Sequence, residues 1–127
     1  MIGFTALAQG LLTNRYLDGV PTDSRAARDP EFDRSWLSEE MIARLRALNE
    51  VASGRGQTLA QLALAWGLRD ERLTSLVIGA SSVDQLEQNV AVLDNLSLSA
   101  DELAEIDRHV MTDGSVDMWQ KAREGAL

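Results

Sequence analysis

The chain has 127 residues, 45% hydrophobic and 25% charged, which is the usage of an ordinary soluble domain with its own core. A formal net charge of −8 argues against DNA, RNA or anionic lipid as a main partner, because phosphate polymers are held by basic faces, yet a helix N-terminus and one or two arginines suffice for a small anion. The absence of cysteine excludes disulfides and thiolate metal sites, no apolar run approaches the roughly 18–20 residues of a membrane span, and Met1-Ile2-Gly3-Phe4 lacks the basic start of a signal peptide, so a cytoplasmic protein is the simplest reading.

Ile2–Thr5 is short and apolar and reads as a strand. Gln9-Gly10-Leu11-Leu12 follows as a helical turn. From Thr13 to about Leu37 the pattern breaks on Asp18-Gly19, Pro21, Asp23-Ser24 and Asp29-Pro30, all turn signals. A loop of that length inside a compact domain is either functional or disordered. Ser38 opens a helix whose first turn carries Glu39 and Glu40, and Met41, Leu45, Leu48 and Ala52 form its apolar stripe. Gly54 and Gly56 end it. Thr58 and Gln61 are spaced as a capping box for a second helix, with Leu59, Leu62, Ala63 and Trp66 as its buried face.

Leu73–Ile78 is the clearest strand, apolar on both faces at its end as in a buried parallel sheet, and it stops at Gly79. Ser82 and Gln85 form a further capping-box pair, opening a helix with Leu86, Val90 and Leu93 on its inner face. Ser99 and Glu102 cap a last helix with Leu103, Ile106 and Val110 turned inward, and the tail from Met111 to Leu127 has no clear period. Strand, helices and a second strand make the βα pattern of a parallel sheet, in one domain spanning 1–127.

Leu7-Ala8-Gln9-Gly10-Leu11-Leu12-Thr13 with Arg15-Tyr16, then Gln61-Leu62-Ala63-Leu64-Ala65-Trp66, then Ile78-Gly79-Ala80-Ser81-Ser82 with Gln85-Leu86-Glu87-Gln88-Asn89, form three blocks. In this order and spacing they resemble the aldo-keto reductase family, over nearly the whole chain. Within it the likeness is greatest to the branch of bacterial glyceraldehyde-3-phosphate reductases and potassium-channel β subunits, and Asp117-Met118-Trp119-Gln120 is similar to the C-terminal end of the former. The resemblance implies an α/β fold, the C-terminal fragment of a (β/α)8 TIM barrel with strands seven and eight, their helices and the tail, and mostly helical content. It also implies a fragment, by truncation of a reading frame or by design.

The residues around Gly79 bear a physical reading of their own. Gly79-Ala80-Ser81-Ser82 joins an apolar strand to a capped helix. Gly79 permits close approach of a ligand, and Ser81, Ser82 and the free amides of the first turn are phosphate donors. The alternative is an ordinary strand-to-helix turn. Barrels of this kind bind phosphate at the loops after strands seven and eight.

The resemblance implies NADP(H) as cofactor, with Ser81 on the adenosine 2′-phosphate, Gln85 one turn on, and Asn89 on the adenine beside Gln88. Positions 85, 88 and 89 share a helix face. It adds Thr5, Leu7 and Gly10 along the pyrophosphate and Arg15 and Arg25 on the phosphates; the alternative for both arginines is solvated surface. Three departures bear on this. Ser82 stands where many relatives have a basic residue and Gln88 where many have Glu, which softens NADP over NAD, and Ala6 replaces a φ-fixing proline in the partner loop.

The family's catalytic Asp, Tyr, Lys and His come from earlier strands. The single Tyr16, His109 and Lys121 lie in no matching motif, so no catalytic or metal residue is expected here. Tyr16 reads as a packing residue, His109 as lying on the exposed side of the last helix, Trp36 and Trp66 as structural, and Trp119 as either a pocket wall or a packed tail aromatic. The partners implied are a nicotinamide cofactor and a small carbonyl substrate in the complete enzyme. A fragment with two barrel strands also leaves open edges, which suit self-association as a non-catalytic alternative.

Overall fold

The computed structural model describes residues 1–18 and 37–110. The tail, Arg25, Trp36, Trp119, Lys121 and most of the loop before the first long helix lie outside the described residues. The rest is α/β and mostly helical, and it follows the expected order of elements.

Strand β1 (Ile2–Gly3) pairs in parallel with β2 (Ser75–Leu76), Ile2 against Ser75 and Gly3 against Leu76. The Thr74 amide donates to the Met1 carbonyl at 2.7 Å and the Val77 amide to the Gly3 carbonyl at 2.8 Å. Both strands are shorter than the apolar runs Ile2–Thr5 and Leu73–Ile78 suggest. Thr5 has φ +56°, which turns the first segment off the ladder, so the second strand pairs no further than the Val77 amide. Nor is β2 covered on both faces: Val77, just past it, is 59% exposed, since no element among the described residues packs on that side. Leu76 packs on the other side, between Gly3 and Gly67, where an added Cβ would lie 2.9 and 3.1 Å from its methyls.

Helix α1 (Glu39–Gly54) starts where Ser38 Oγ accepts the Met41 amide, and it buries Leu45 and Ala52 with Met41 and Leu48 half-buried. It ends at Arg55, followed by Gly56 at φ +71°. Helix α2 (Leu59–Gly67) opens on the expected Thr58/Gln61 capping box. It buries Leu59, Leu62, Leu64 and Ala65, whereas Ala63 and Trp66 are half-buried. The one-sided face expected for it is therefore too narrow, because α2 lies between two layers. On one side Leu62 joins Ala52 and Ile106; on the other Leu64 and Ala65 join Val92, with Leu7, Leu76 and Ile78 packed against them. A helix apolar all round is one with partners all round.

Helix α3 (Val83–Val90) runs into a 3-10 turn at Ala91–Asn95, and α4 (Ala100–His109) starts on a complete Ser99/Glu102 capping box with Ile106 buried. The expected inner face of α3 is not inside. Leu86, Val90 and Leu93 are 47%, 52% and 61% exposed, and the buried positions are Asn89 and Val92. The helix turns its polar side towards α2, and no element among the described residues covers its apolar side. His109 is half-buried rather than exposed, with Nε2 3.0 Å from Glu105 Oε1. Tyr16 is fully buried, as a packing residue should be.

Arg55 ties three elements together. Its side chain is only 5% exposed; it donates to Gln57, to the Asn95 carbonyl at the end of the 3-10 turn and the Ser97 carbonyl just after it, and to the Glu102 carboxylate at the start of α4. No helix among the described residues is long and apolar enough to cross a membrane.

Candidate functional site

The chain leaves β1 by a tightly wound loop. Thr5 and Ala8 have φ +56° and +50°, and Gly10 has φ +96°. Left-handed backbone costs a residue with a Cβ about 1–2 kcal/mol, so two such residues in four positions need external support. The loop supplies it: Ala8 N–H donates to the Thr5 carbonyl, Gly10 and Leu12 N–H to the Leu7 carbonyl, and Thr13 Oγ to the Gly10 carbonyl at 2.6 Å. A short 3-10 turn at Asn14–Tyr16, capped by Thr13, then sets Arg15 on the exposed side and Tyr16 inside.

After β2 the chain passes Val77, Ile78 and Gly79 and enters α3 through Ser81 and Ser82. Ser82 Oγ accepts the Gln85 amide at 3.1 Å, as an N-cap should. The reciprocal half of the expected capping box is missing. Gln85 Oε1 instead accepts from Ser81, both from its amide N–H and from Oγ–H, each at 2.9 Å. Ser82 differs from the caps of the two complete boxes in φ, −148° against −78° for Thr58 and −72° for Ser99.

The two loops face each other across a cleft of about 830 Å³. It is lined by Thr5, Leu7, Gly10 and Arg15 from the first segment and by Gly79, Ser81, Gln85, Gln88 and Asn89 from the second. These are all nine of the site residues inferred from sequence that fall among the described residues; Arg25 is the tenth and lies outside them. Gln85, Gln88 and Asn89 share the cleft face of α3 as their spacing requires, and Asn89 is buried at 7% exposure. Gly79 borders open space, with no protein atom within 4 Å of an added Cβ.

Sequence reasoning missed Thr13, Asn14, Thr58, Ala60, Val77 and Ile78, which also line the cleft. Thr58 was the findable one. It caps α2, and a capped helix start beside a glycine turn is itself a signal for exposed amides. Gln61 adds a link: its Oε1 accepts the Thr58 amide, while its Nε2 donates to the Gln88 carbonyl at 2.7 Å. The cap of α2 thereby holds α3 in place.

The charge around the cleft is opposite to that of the protein. Among the described residues that line it, Arg15 is the one charged side chain and none is a carboxylate, in a chain of net charge −8. Hydroxyls, amides and one guanidinium, with no carboxylate among the described lining residues, form a donor set for an anion with a polar heterocycle attached. No group of three His, Cys, Asp or Glu able to hold a metal occurs among the described residues.

Comparison with known proteins agrees with the three sequence blocks. The profile of the aldo/keto reductase family matches residues 1–111. The L-glyceraldehyde 3-phosphate reductases of Escherichia coli O157:H7 and of Escherichia coli strain K12 are each 50% identical to it over 127 residues, covering 97% of this chain. The chain spans 36% of the length of those relatives. On these grounds the chain belongs to the aldo/keto reductase family.

Proposed function

We propose that this chain is the C-terminal, cofactor-binding part of an NADP(H)-dependent aldo-keto reductase that reduces small aldehydes and ketones to alcohols, its two strands being the seventh and eighth of a (β/α)8 barrel. The observation that carries the reading is the convergence of residues far apart in sequence, Thr5 to Arg15 and Gly79 to Asn89, on one cleft with no carboxylate among its described lining residues. In this reading Ser81 and the first turn of α3 hold the 2′-phosphate, Asn89 and Gln88 the adenine, and Thr5, Leu7, Gly10 and Arg15 the pyrophosphate. Bound NADPH supplies the hydride. The residues of this chain bind and orient it, and the proton donor to the carbonyl lies elsewhere in the complete enzyme, since the one tyrosine is fully buried in packing. The names of the relatives make L-glyceraldehyde 3-phosphate the first substrate to try, and a cytoplasmic location goes with this reading.

Titration of NADPH followed by its own fluorescence tests the proposal. Saturable binding that is weakened at least tenfold by Ser81→Ala or Asn89→Leu is expected. So is the absence of methylglyoxal or L-glyceraldehyde 3-phosphate turnover above a heat-inactivated control. Absence of saturable binding, or turnover by this chain alone, overturns it.

A second reading, a self-associating or partner-binding barrel fragment, rests on the uncovered apolar side of α3. Val83, Leu86, Val90 and Leu93 are between 47% and 70% exposed, and Ile2 and Phe4 at the sheet are 64% and 65% exposed. Exposed apolar surface of this kind drives association. Light scattering over a tenfold concentration range decides: growth in mass that Leu86→Lys plus Val90→Glu abolishes supports this reading, and a monomer throughout refutes it.

A further inference from the structure

Arg15, the one charged side chain among the described residues that line the cleft, is carried by a turn with few bonds of its own. Asn14–Tyr16 is a single 3-10 turn, and its closing bond, from the Leu17 amide to the Asn14 carbonyl, is long at 3.5 Å. The start of the turn is fixed locally: Thr13 Oγ accepts the Arg15 amide at 3.3 Å and donates to the Gly10 carbonyl at 2.6 Å. The end is fixed from α1. Arg46 lies 29 positions from Leu17, and two of its donors, Nε at 2.9 Å and Nη2 at 2.7 Å, close on the Leu17 carbonyl. Two charged donors in one rigid fork fix both the place and the direction of a carbonyl, which a single flexible donor does not. Tyr16, the residue between, is fully buried. The backbone on either side of Arg15 is thus held while its side chain stays exposed at the cleft.

Resting on the nucleotide-site reading above, we infer that Arg46 is a positioning residue for the cofactor pyrophosphate: it clamps the end of the turn from which Arg15 reaches the cleft, and acts on the ligand through Arg15. Arg46 does not line the cleft, so its effect on an anion there passes through the turn. An arginine on a loose turn loses more freedom on meeting a phosphate than one whose backbone is already set, and the clamp removes that difference. A residue of the first long helix, outside the three blocks that carry the family resemblance, thereby takes part in the site.

The test is a double-mutant cycle on the full 127-residue chain, with NADPH affinity read from its fluorescence and folding checked by far-UV circular dichroism. Arg46→Met removes both donors and is expected to weaken NADPH binding about tenfold, the scale of two exposed charge-assisted bonds. Arg15→Ala is expected to weaken it at least as much. In the Arg15→Ala background, Arg46→Met is expected to change affinity by less than about twofold, because the clamp then has nothing to position. A role in stability alone would instead give the same factor in both backgrounds. Arg46→Lys keeps the charge and one donor, and is expected to bind NADPH with an affinity between those of the parent and Arg46→Met. If Arg46→Met does not fold, Arg46→Lys takes its place in the cycle, with a loss of about threefold expected in the parent background. Equal factors in the two backgrounds, an effect below about twofold in the parent background, or parent-like binding by Arg46→Lys overturns the inference and leaves the nucleotide site standing. Parent-like binding by Arg15→Ala removes Arg15 from the site and this inference with it, while Ser81→Ala and Asn89→Leu still decide the rest of the site. Failure of the parent chain to bind NADPH overturns both readings.

Discussion

Replacing Arg55 with Met keeps the length and apolar stem of the side chain and removes its charge. Arg55 Nε donates to Gln57 Oε1 at 2.8 Å, Nη1 to the Ser97 carbonyl at 2.9 Å and to Glu102, and Nη2 to the Asn95 carbonyl at 3.0 Å. The Asn95 carbonyl keeps a donor, since Gln57 Nε2 also reaches it at 2.9 Å. The loss falls on Ser97 and on Glu102, whose side chain is 32% exposed and regains water in part. Breaking a fully buried pair costs about 3–5 kcal/mol, and a hydrogen bond to a charge about 1.5–3 kcal/mol. Rehydration of Glu102 puts the expectation near the lower range, about 2–3 kcal/mol. With a urea slope of about 1.5–2 kcal/mol/M, the midpoint falls by about 1–2 M at unchanged slope. A double-mutant cycle with Glu102→Gln isolates the ion pair, with a coupling of about 1 kcal/mol expected. A midpoint shift below about 0.3 M would refute the claim that this guanidinium latches α1, the 3-10 turn and α4 together.

Two further outcomes follow from the loops and the helix caps. Gly10→Ala forces a side chain to φ +96° with its Cβ 3.6 Å from Tyr16 Cε2, and should cost about 1–2 kcal/mol in thermal or urea unfolding while weakening NADPH binding; an unchanged melting temperature would contradict the strain argument. Glu102 is held below its ordinary value of 4.5, first by the Ser99 amide and also by Arg55, and Glu105 likewise, first by His109. A depressed folded value means that the stabilisation is fully present above about pH 4.5 and is lost as pH falls through the folded values, because the unfolded state then binds more protons. Urea midpoints should therefore hold from pH 7 to 5 and drop below pH 4.5, with Glu102→Gln flattening part of the drop; an identical acid limb in that variant would count against Glu102.

Much of the site was readable because it is made of local signals. Serine and threonine caps fix where α1, α2, α3 and α4 start, and the polar residues at 85, 88 and 89 point one way whatever α3 packs against. What went astray depends on partners distant in sequence. The apolar stripe Leu86, Val90 and Leu93 says that a surface wants covering, not what covers it, and among the described residues it stays bare. The run Leu73–Ile78 says strand, but its paired length is set by Thr5 turning away at the other end of the sheet. Gln85 bonds to Ser81 and not to the Ser82 amide, and Ser82 has φ −148° where the caps of the complete boxes have −78° and −72°, a difference that the spacing of a capping box does not encode.

Gln61 connects these two kinds of information, and it allows fold and site to be separated by experiment. One end of its side chain caps α2 through the Thr58 amide, and the other end fastens α3 through the Gln88 carbonyl. Gln61→Glu keeps the capping oxygen and replaces the tethering nitrogen by an oxygen, which repels the Gln88 carbonyl. Glutamate is as good as glutamine in a capping box, so α2 loses little. Gln61→Ala removes both ends and costs about 1 kcal/mol more for the lost cap. The expectation is therefore a split: Gln61→Glu keeps the urea midpoint near that of the parent but speeds amide exchange in α3 and weakens NADPH binding several-fold, whereas Gln61→Ala lowers midpoint and affinity together. Equal affinity in Gln61→Glu and parent would show that α3 is held through the 3-10 turn that follows it, whose Val92 packs on Leu64 and Ala65, and that the cap of α2 has no part in shaping the cleft.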